Sequence, residues 1–103
     1  MHGEYKMPGG KLVVIDLDVR DGRLANVQLS GDFFLEPDSA LHAINAALQD
    51  QPEHASEAQL ATVVNRALPA DVMMYGLSPQ AVAVAVRRAL NQGTRGHDAY
   101  RLA

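Results

Sequence analysis

The residues able to do chemistry gather in two short blocks. In the first, Lys6-Met7-Pro8-Gly9-Gly10-Lys11, a proline–glycine turn pair stands between two lysines. If Lys6 pairs with Lys11 across the turn, two ammonium groups stand side by side on one face of a hairpin. Like charges directly opposite destabilise a strand pair by roughly a few tenths of a kcal/mol or more. Such a pair makes physical sense where an anion, or a partner's carboxylate, lies between the charges. Adjacent glycines let a phosphate or another backbone come close. Ordinary turn chemistry, with lysines blunting an exposed sheet edge, accounts for the same residues without a ligand. The block is not a Walker A loop. The Gly-x-x-x-x-Gly-Lys-Ser/Thr spacing is missing, and Leu12 follows the lysine where a magnesium-binding hydroxyl belongs.

The second block is Ser30-Gly31-Asp32-Phe33-Phe34-Leu35, which holds both phenylalanines of the chain. Gly31-Asp32 turns the chain off a strand while one ring anchors the segment in the core. Neighbouring side chains of an extended segment point opposite ways, so the other ring is left for solvent or a partner, beside a carboxylate.

Other chemistry is absent from the pattern. Cysteine is missing, so there is no thiolate nucleophile, disulfide or cysteine-based metal site. His2, His42, His54 and His97 are widely spaced, with no His-x-x-x-His pair for a metal. No Gly-x-Ser-x-Gly elbow is present. Asp16 and Asp18 read as a solvated strand face, Met73-Met74 beside Tyr75 as core or interface filler, and Arg87-Arg88 as the wet side of a helix. No catalytic residue and no metal ligand is assigned.

These blocks must be carried by one small domain. The chain has 103 residues, 48% of them hydrophobic and 20% charged, which suffices for a core and is too little charge for disorder. The net charge of −3 argues against nucleic acid, whose binders carry a basic surplus. No apolar run approaches the ~20 residues that span a bilayer, and the first residues lack a signal-peptide core. The expectation is a cytoplasmic chain with neither nucleic acid nor membrane as partner.

Before Pro37 the apolar period is two; after it the period is near 3.6. Val13, Ile15, Leu17 and Val19 alternate with Asp16, Asp18 and Arg20, and Ala25, Val27 and Leu29 alternate with Asn26, Gln28 and Ser30. A two-residue Asp21-Gly22 turn would set Leu17 opposite Asn26 and mix core with solvent. A three-residue loop, Arg20-Asp21-Gly22, sets Leu17 opposite Ala25 and is the preferred register. Gly3 to Met7 pairs with Leu12 onward and completes a meander.

Three helices are predicted. The first starts near Pro37 with the stripe Leu41, Ile44 and Leu48. The second is capped by Ser56 and Gln59 and buries Leu60, Val63, Val64 and Ala67. The third, opened by Ser78-Pro79, buries Val82, Ala85, Val86, Ala89 and Leu90, and Gly93 stops it. Val72 to Tyr75 is a short strand or a packed loop. The fold class is α+β: a three-stranded antiparallel sheet with three helices packed on one face. Residues 1–93 form the domain and 94–103 a frayed tail.

In this order and spacing, Glu4 to Val13, the Asp21-Gly22 hairpin, Ser30 to Phe34, and the helix entered through Gly76-Leu77-Ser78 resemble the small accessory domain of lipoate–protein ligases. The resemblance covers about residues 3 to 92 and rests on the Lys-x-Pro-Gly-Gly-Lys and Gly-Asp-Phe-Phe blocks together. In that family a large catalytic domain binds lipoate and ATP, forms lipoyl-adenylate and transfers the lipoyl group to a lysine of a carrier domain. The small domain is fused to it or is a separate polypeptide, and this chain resembles the separate form. The resemblance implies a subunit that supports adenylation from beside the active site and moves between the two steps. It implies a catalytic ligase subunit as partner and lipoyl carrier domains as indirect ones. It also implies ATP and lipoate, with magnesium, at the partner's site and no cofactor held by this chain alone. Lys6, Pro8, Gly9, Gly10 and Lys11, with Gly31, Asp32, Phe33 and Phe34, are then the partner- or phosphate-facing positions. Two other readings stay open: a stand-alone module for a small anion or nucleotide, and a protein-interaction module using the sheet edge near Tyr5.

Overall fold

The computed structural model describes the backbone of residues 1–102 and the side chains of residues 1–91. Strands β1 (His2–Lys6), β2 (Leu12–Arg20) and β3 (Arg23–Gly31) come first, then β4 (Phe34–Glu36). Helices α1 (Ser39–Leu48) and α2 (Glu57–Ala67) follow, then β5 (Met73–Tyr75) and α3 (Pro79–Leu102). The fold is α+β. β1, β2 and β3 form an antiparallel sheet in that order, and β4 pairs with β5 in a separate two-stranded ribbon. Val72 to Tyr75 thus contains a strand, whose partner is the segment that follows Phe33.

The alternation in β2 does what its residue types require. Val13, Ile15 and Leu17 are buried under the helices, while Asp16, Asp18 and Arg20 are exposed. The β2–β3 connection departs from the preferred register. It is the two-residue turn Asp21-Gly22, with φ of 54° and 76°, and Arg20 lies opposite Arg23. Two consecutive positive φ values match the twist of the flanking strands better than a longer loop does. The mixing of core and solvent that this register threatens is removed by a bulge in β3. Asp16 faces Gln28 and Asp18 faces Ala25, so Asn26 and Val27 together stand opposite Leu17. Asn26 takes the left-handed conformation (φ 51°), and its amide donates to Asp18 Oδ2 at 2.9 Å. The extra residue flips the phase. Leu24 is buried before it, Val27 and Leu29 after it, and Ala25 is only half-buried.

The helices cover one face of the sheet. α3 lies along β1 and β2, α1 lies against β3, and α2 packs on both helices. α1 buries Ala40, Ile44 and Leu48, with Leu41 half-buried. α2 opens with a full capping box, in which Ser56 Oγ accepts from the Gln59 amide (3.1 Å) and Gln59 Oε1 from the Ser56 amide (2.8 Å). It buries Leu60 and Val64, with Val63 and Ala67 only half-buried. Ser78 Oγ caps α3 by accepting from the Ala81 amide at 3.0 Å. The inward face of α3 is mostly alanine: Ala81, Ala83, Ala85 and Ala89 are buried beside Val82, Val86 and Leu90. Small side chains let the helix reach the sheet closely. At Gly3 a β-carbon would overlap the Ala85 carbonyl and the Ala89 backbone.

α3 continues as helix beyond Gly93, where the apolar pattern had placed its end. A glycine inside a helix costs about 1 kcal/mol relative to alanine, which lowers helix stability without by itself ending the helix. The expected frayed segment 94–103 lies outside the residues whose side chains are described.

Arg88 is exposed and Arg87 half-buried, as the wet side of a helix requires, and both also tie α3 to its neighbours. Arg87 Nη1 donates to the carbonyls of Glu53 (2.6 Å) and Ala55 (3.2 Å), fixing the α1–α2 loop to α3. That loop also closes the outer edge of β3. The Leu24 amide donates to the Gln51 carbonyl (2.9 Å), and the Asp50 amide to the Leu24 carbonyl (2.8 Å). On the opposite edge, Arg88 Nη1 donates to the Glu4 carbonyl (3.1 Å), with the guanidinium 5.1 Å from the Tyr5 ring centroid.

Candidate functional site

The two sequence blocks meet at one end of the sheet. The β1–β2 tip closes with the Met7 amide donating to the Lys11 carbonyl (2.7 Å) and the Gly10 amide to the Met7 carbonyl (2.9 Å). Gly9 and Gly10, with φ of 96° and 95°, have open space where a side chain would stand, and Pro8 is exposed beside them. This is a bare backbone tip held out into solvent.

The two lysines do not face each other. Lys6 is opposite Leu12, and Met7 is opposite Lys11. Because successive side chains alternate across a strand, Lys6 falls on the open face of the sheet and Lys11 on the helix-bearing face. The side-by-side ammonium pair is therefore not formed. The loop holds one residue fewer than that pairing needed, and the phase of the second lysine changes.

Lys11 is positioned by another segment instead. Its aliphatic stem lies across Gly76, where a β-carbon would occupy the space of Lys11 Cβ and Cγ. Gly76 has φ of 72° and leads from β5 into Leu77 and the cap of α3. Only a residue without a side chain satisfies both the backbone angle and the contact.

Gly31 brings in the second block. A β-carbon there would collide with the Leu12 carbonyl oxygen, and that oxygen accepts from the Asp32 amide at 3.0 Å. Asp32 is thereby folded beside the base of the tip. Phe33 packs half-buried against the core, while Phe34 points outward, 49% exposed. Its ring centroid lies 6.1 Å from that of Tyr75, directly opposite in the ribbon. The neighbouring pair Leu35 and Met74 is turned into the core.

The sequence reads Met73-Met74 beside Tyr75 only as core or interface filler, Gly76 only as part of the entry to the third helix and Arg88 only as a wet helix side, and assigns none of them to the site. A signal for Met73 and Tyr75 is the run of apolar residues itself: an extended segment sends successive side chains to opposite faces, so it cannot bury all of them.

Among the described residues no three carboxylate, histidine or cysteine side chains are grouped to hold a metal ion. His2 stands away from the tip, between two carboxylates. Its Nε2 is 2.7 Å from Glu4 Oε2 and its Nδ1 2.7 Å from Asp16 Oδ1. These bonds, Glu4 first and Asp16 next, raise its pKa above the ordinary value. His97 lies outside the described side chains. A groove of about 350 Å³ beside α2, with Gln51, Pro52, Gln59 and Arg66 in its walls, has no connection to either block. No described helix is long and apolar enough to cross a membrane.

The tip region offers cations, bare backbone and an exposed aromatic pair, a set suited to contact with an anion or another protein. It holds no nucleophile–base pair. Comparison with known proteins adds the fold. No protein-family model matches the chain, and no curated protein matches it. Among solved structures, the chain is similar to one in a structure titled as an archaeal lipoylation system, a bipartite lipoate protein ligase and its E2 lipoyl domain from Thermoplasma acidophilum. The match has 22% identity and a TM-score of 0.61, over 84% of this chain and 98% of that one. At that identity the likeness is one of fold, between chains of comparable length.

Proposed function

We propose that this chain is the accessory subunit of a two-part lipoate–protein ligase, acting in lipoylation with a separate catalytic chain. The observation that carries the reading is the convergence at one end of the sheet of three segments far apart in sequence, the Gly9-Gly10-Lys11 tip, Gly31-Asp32 and Gly76, joined by the Lys11 stem against Gly76 and by Gly31 against the Leu12 backbone. A fold shared with a chain of a bipartite ligase system supports it. So does a surface equipped for contact but not for bond making.

In this reading the partner binds lipoate and ATP with magnesium. A lipoate carboxylate oxygen attacks the α-phosphorus and pyrophosphate leaves. The amine of a carrier lysine then displaces AMP from the lipoyl-adenylate. This chain supplies the tip, which presents Lys11 and bare backbone toward the charge that builds up in the first step. Lys6, on the other face, meets the partner protein rather than the nucleotide.

Pyrophosphate release from lipoate and ATP is the test. A catalytic chain lacking its own small domain is measured alone, then with this chain added. A rise in rate on mixing supports the reading, and an unchanged rate overturns it. The purified chain by itself releases no pyrophosphate; turnover in a clean preparation would also overturn it. Heat on titrating ATP into this chain alone would favour the stand-alone nucleotide-binding module instead.

A further inference from the structure

The β4–β5 ribbon has two faces of opposite character. Leu35 and Met74 face the core, while Phe34, Glu36, Met73 and Tyr75 face out. Phe34, Met73 and Tyr75 are 49%, 51% and 60% exposed. They place three large apolar side chains on one face of a ribbon three residues long. Exposed apolar patches of this kind mark interaction surfaces more often than scattered single residues do.

The charge around this face has one sign. Asp32, Glu36, Asp38 and Asp71 lie within or just beside the ribbon strands, and all are exposed. Between Arg23 and Arg87 the sequence contains a single Lys or Arg, Arg66, which lies on the α2 groove. None of the four carboxylates forms an ion pair among the described residues. A cation does reach one end: the stem of Lys11 lies against Gly76 where β5 ends. Lys11 thus stands at one end, with Asp32 at the base of the same tip, and the rest of the surface is an aromatic patch rimmed by carboxylates.

Resting on the accessory-subunit reading, we propose that this ribbon face docks the catalytic chain, and that the docking area of that chain is an apolar pocket rimmed by Lys and Arg side chains. A second copy of this chain is the wrong occupant. A two-fold contact would set ribbon against ribbon and bring like charges together. The face is also too small on its own, because stable interfaces bury about 1,200–2,000 Å² in total. The contact must continue onto a neighbouring surface, and the tip adjoins the ribbon through Lys11 and Gly76. This fixes an orientation: basic rim over the ribbon, anionic group over the tip.

The test is titration calorimetry of the full chain against the catalytic chain, at low and high salt. Phe34→Ala and Tyr75→Ala should each weaken binding about tenfold or more. E36K with D71K should weaken it too, and should reduce its salt dependence. Circular dichroism reports whether each variant keeps its fold, and both aromatics are exposed enough to be replaced without opening the core. If mixing raises pyrophosphate release while the ribbon variants bind like wild type, the docking inference falls and the accessory-subunit reading stands. If wild type forms no complex, both fall. A homodimer in sedimentation that Tyr75→Ala dissolves would overturn the choice of occupant.

Discussion

The stem of Lys11 lies over the α-carbon of Gly76, so the end of the β5 ribbon and the β1–β2 tip are fixed relative to each other by a missing side chain. Any β-carbon at position 76 must push the lysine away and must also accept a φ of 72°. Gly76→Val should therefore lose about 1–3 kcal/mol of stability. Urea unfolding would show it as a lower midpoint with an unchanged slope. In the mixed ligase assay the same variant should lose more activity than its stability accounts for, because Lys11 is displaced. Equal midpoints would mean that the contact is not made in solution.

Gly3 predicts a different kind of loss. Its backbone angle needs no glycine, but a methyl group would enter the backbone of α3 at Ala85 and Ala89. Backbone atoms in a packed helix cannot swing aside as a lysine stem can. Gly3→Ala should cost about 1–3 kcal/mol or more through overpacking. Amide exchange should then rise in both β1 and α3. Exchange confined to β1 would show that the helix is not in contact there.

Much of this architecture is legible in the sequence, and the exceptions share a cause. Period two, period 3.6, the Ser56–Gln59 box and the Ser78-Pro79 start are local signals, and local interactions decide those elements. The three-residue turn register follows from unbroken alternation, and a bulge at Asn26 breaks that alternation. The two lysines were misplaced for a related reason, since the length of their loop sets the phase of Lys11. The contacts of Gly76 and Arg88 are not legible because their partners, Lys11 and Glu4, are 65 and 84 residues away in sequence. The site blocks were legible as blocks, whereas their meeting at one sheet end is a property of topology alone.

The bulge is open to direct test. Asn26 adopts a left-handed angle and its amide donates to Asp18. Asn26→Gly keeps the angle and loses only the exposed side-chain bond, so its stability should stay near wild type. Asn26→Val must strain the backbone, at about 1–2 kcal/mol. Thermal unfolding of the pair would separate the angle from the hydrogen bond. Equal loss in both variants would place the energy in the Asp18 contact instead.

His2 links the open sheet face to pH. Its folded pKa is raised above 6.5, chiefly by Glu4 and then by Asp16. A raised value means that the folded state binds the proton more tightly than the unfolded chain does. The contribution to stability is thus fully present below the unfolded pKa and is lost as pH rises through the folded one. The ring is exposed, so the effect is small and sensitive to salt. NMR titration of the His2 ring should give a midpoint above 6.5, moving back toward it in Glu4→Gln and, less, in Asp16→Asn. An unshifted midpoint in wild type would mean that the two carboxylates do not hold the ring.

The final prediction concerns which lysine serves the ligase. Lys6 stands on the open sheet face, whereas Lys11 is held over Gly76, beside the Gly31-Asp32 turn. A cation whose stem is already packed loses less conformational freedom when it meets an anion, so more of its electrostatic gain survives. In the mixed assay Lys11→Ala should lower pyrophosphate release about tenfold or more, the scale of one lost charge-assisted contact, and Lys6→Ala by much less. Lys11→Arg keeps the charge and most of the stem and should recover part of the rate. Lys11→Ala should lower the rate by more than it weakens binding of the catalytic chain, since the ribbon carries most of the docking, whereas Lys6→Ala, at a partner-facing position, should act on binding more than on rate. Equal rates for the two alanine variants would show that the phase difference between the lysines has no functional consequence.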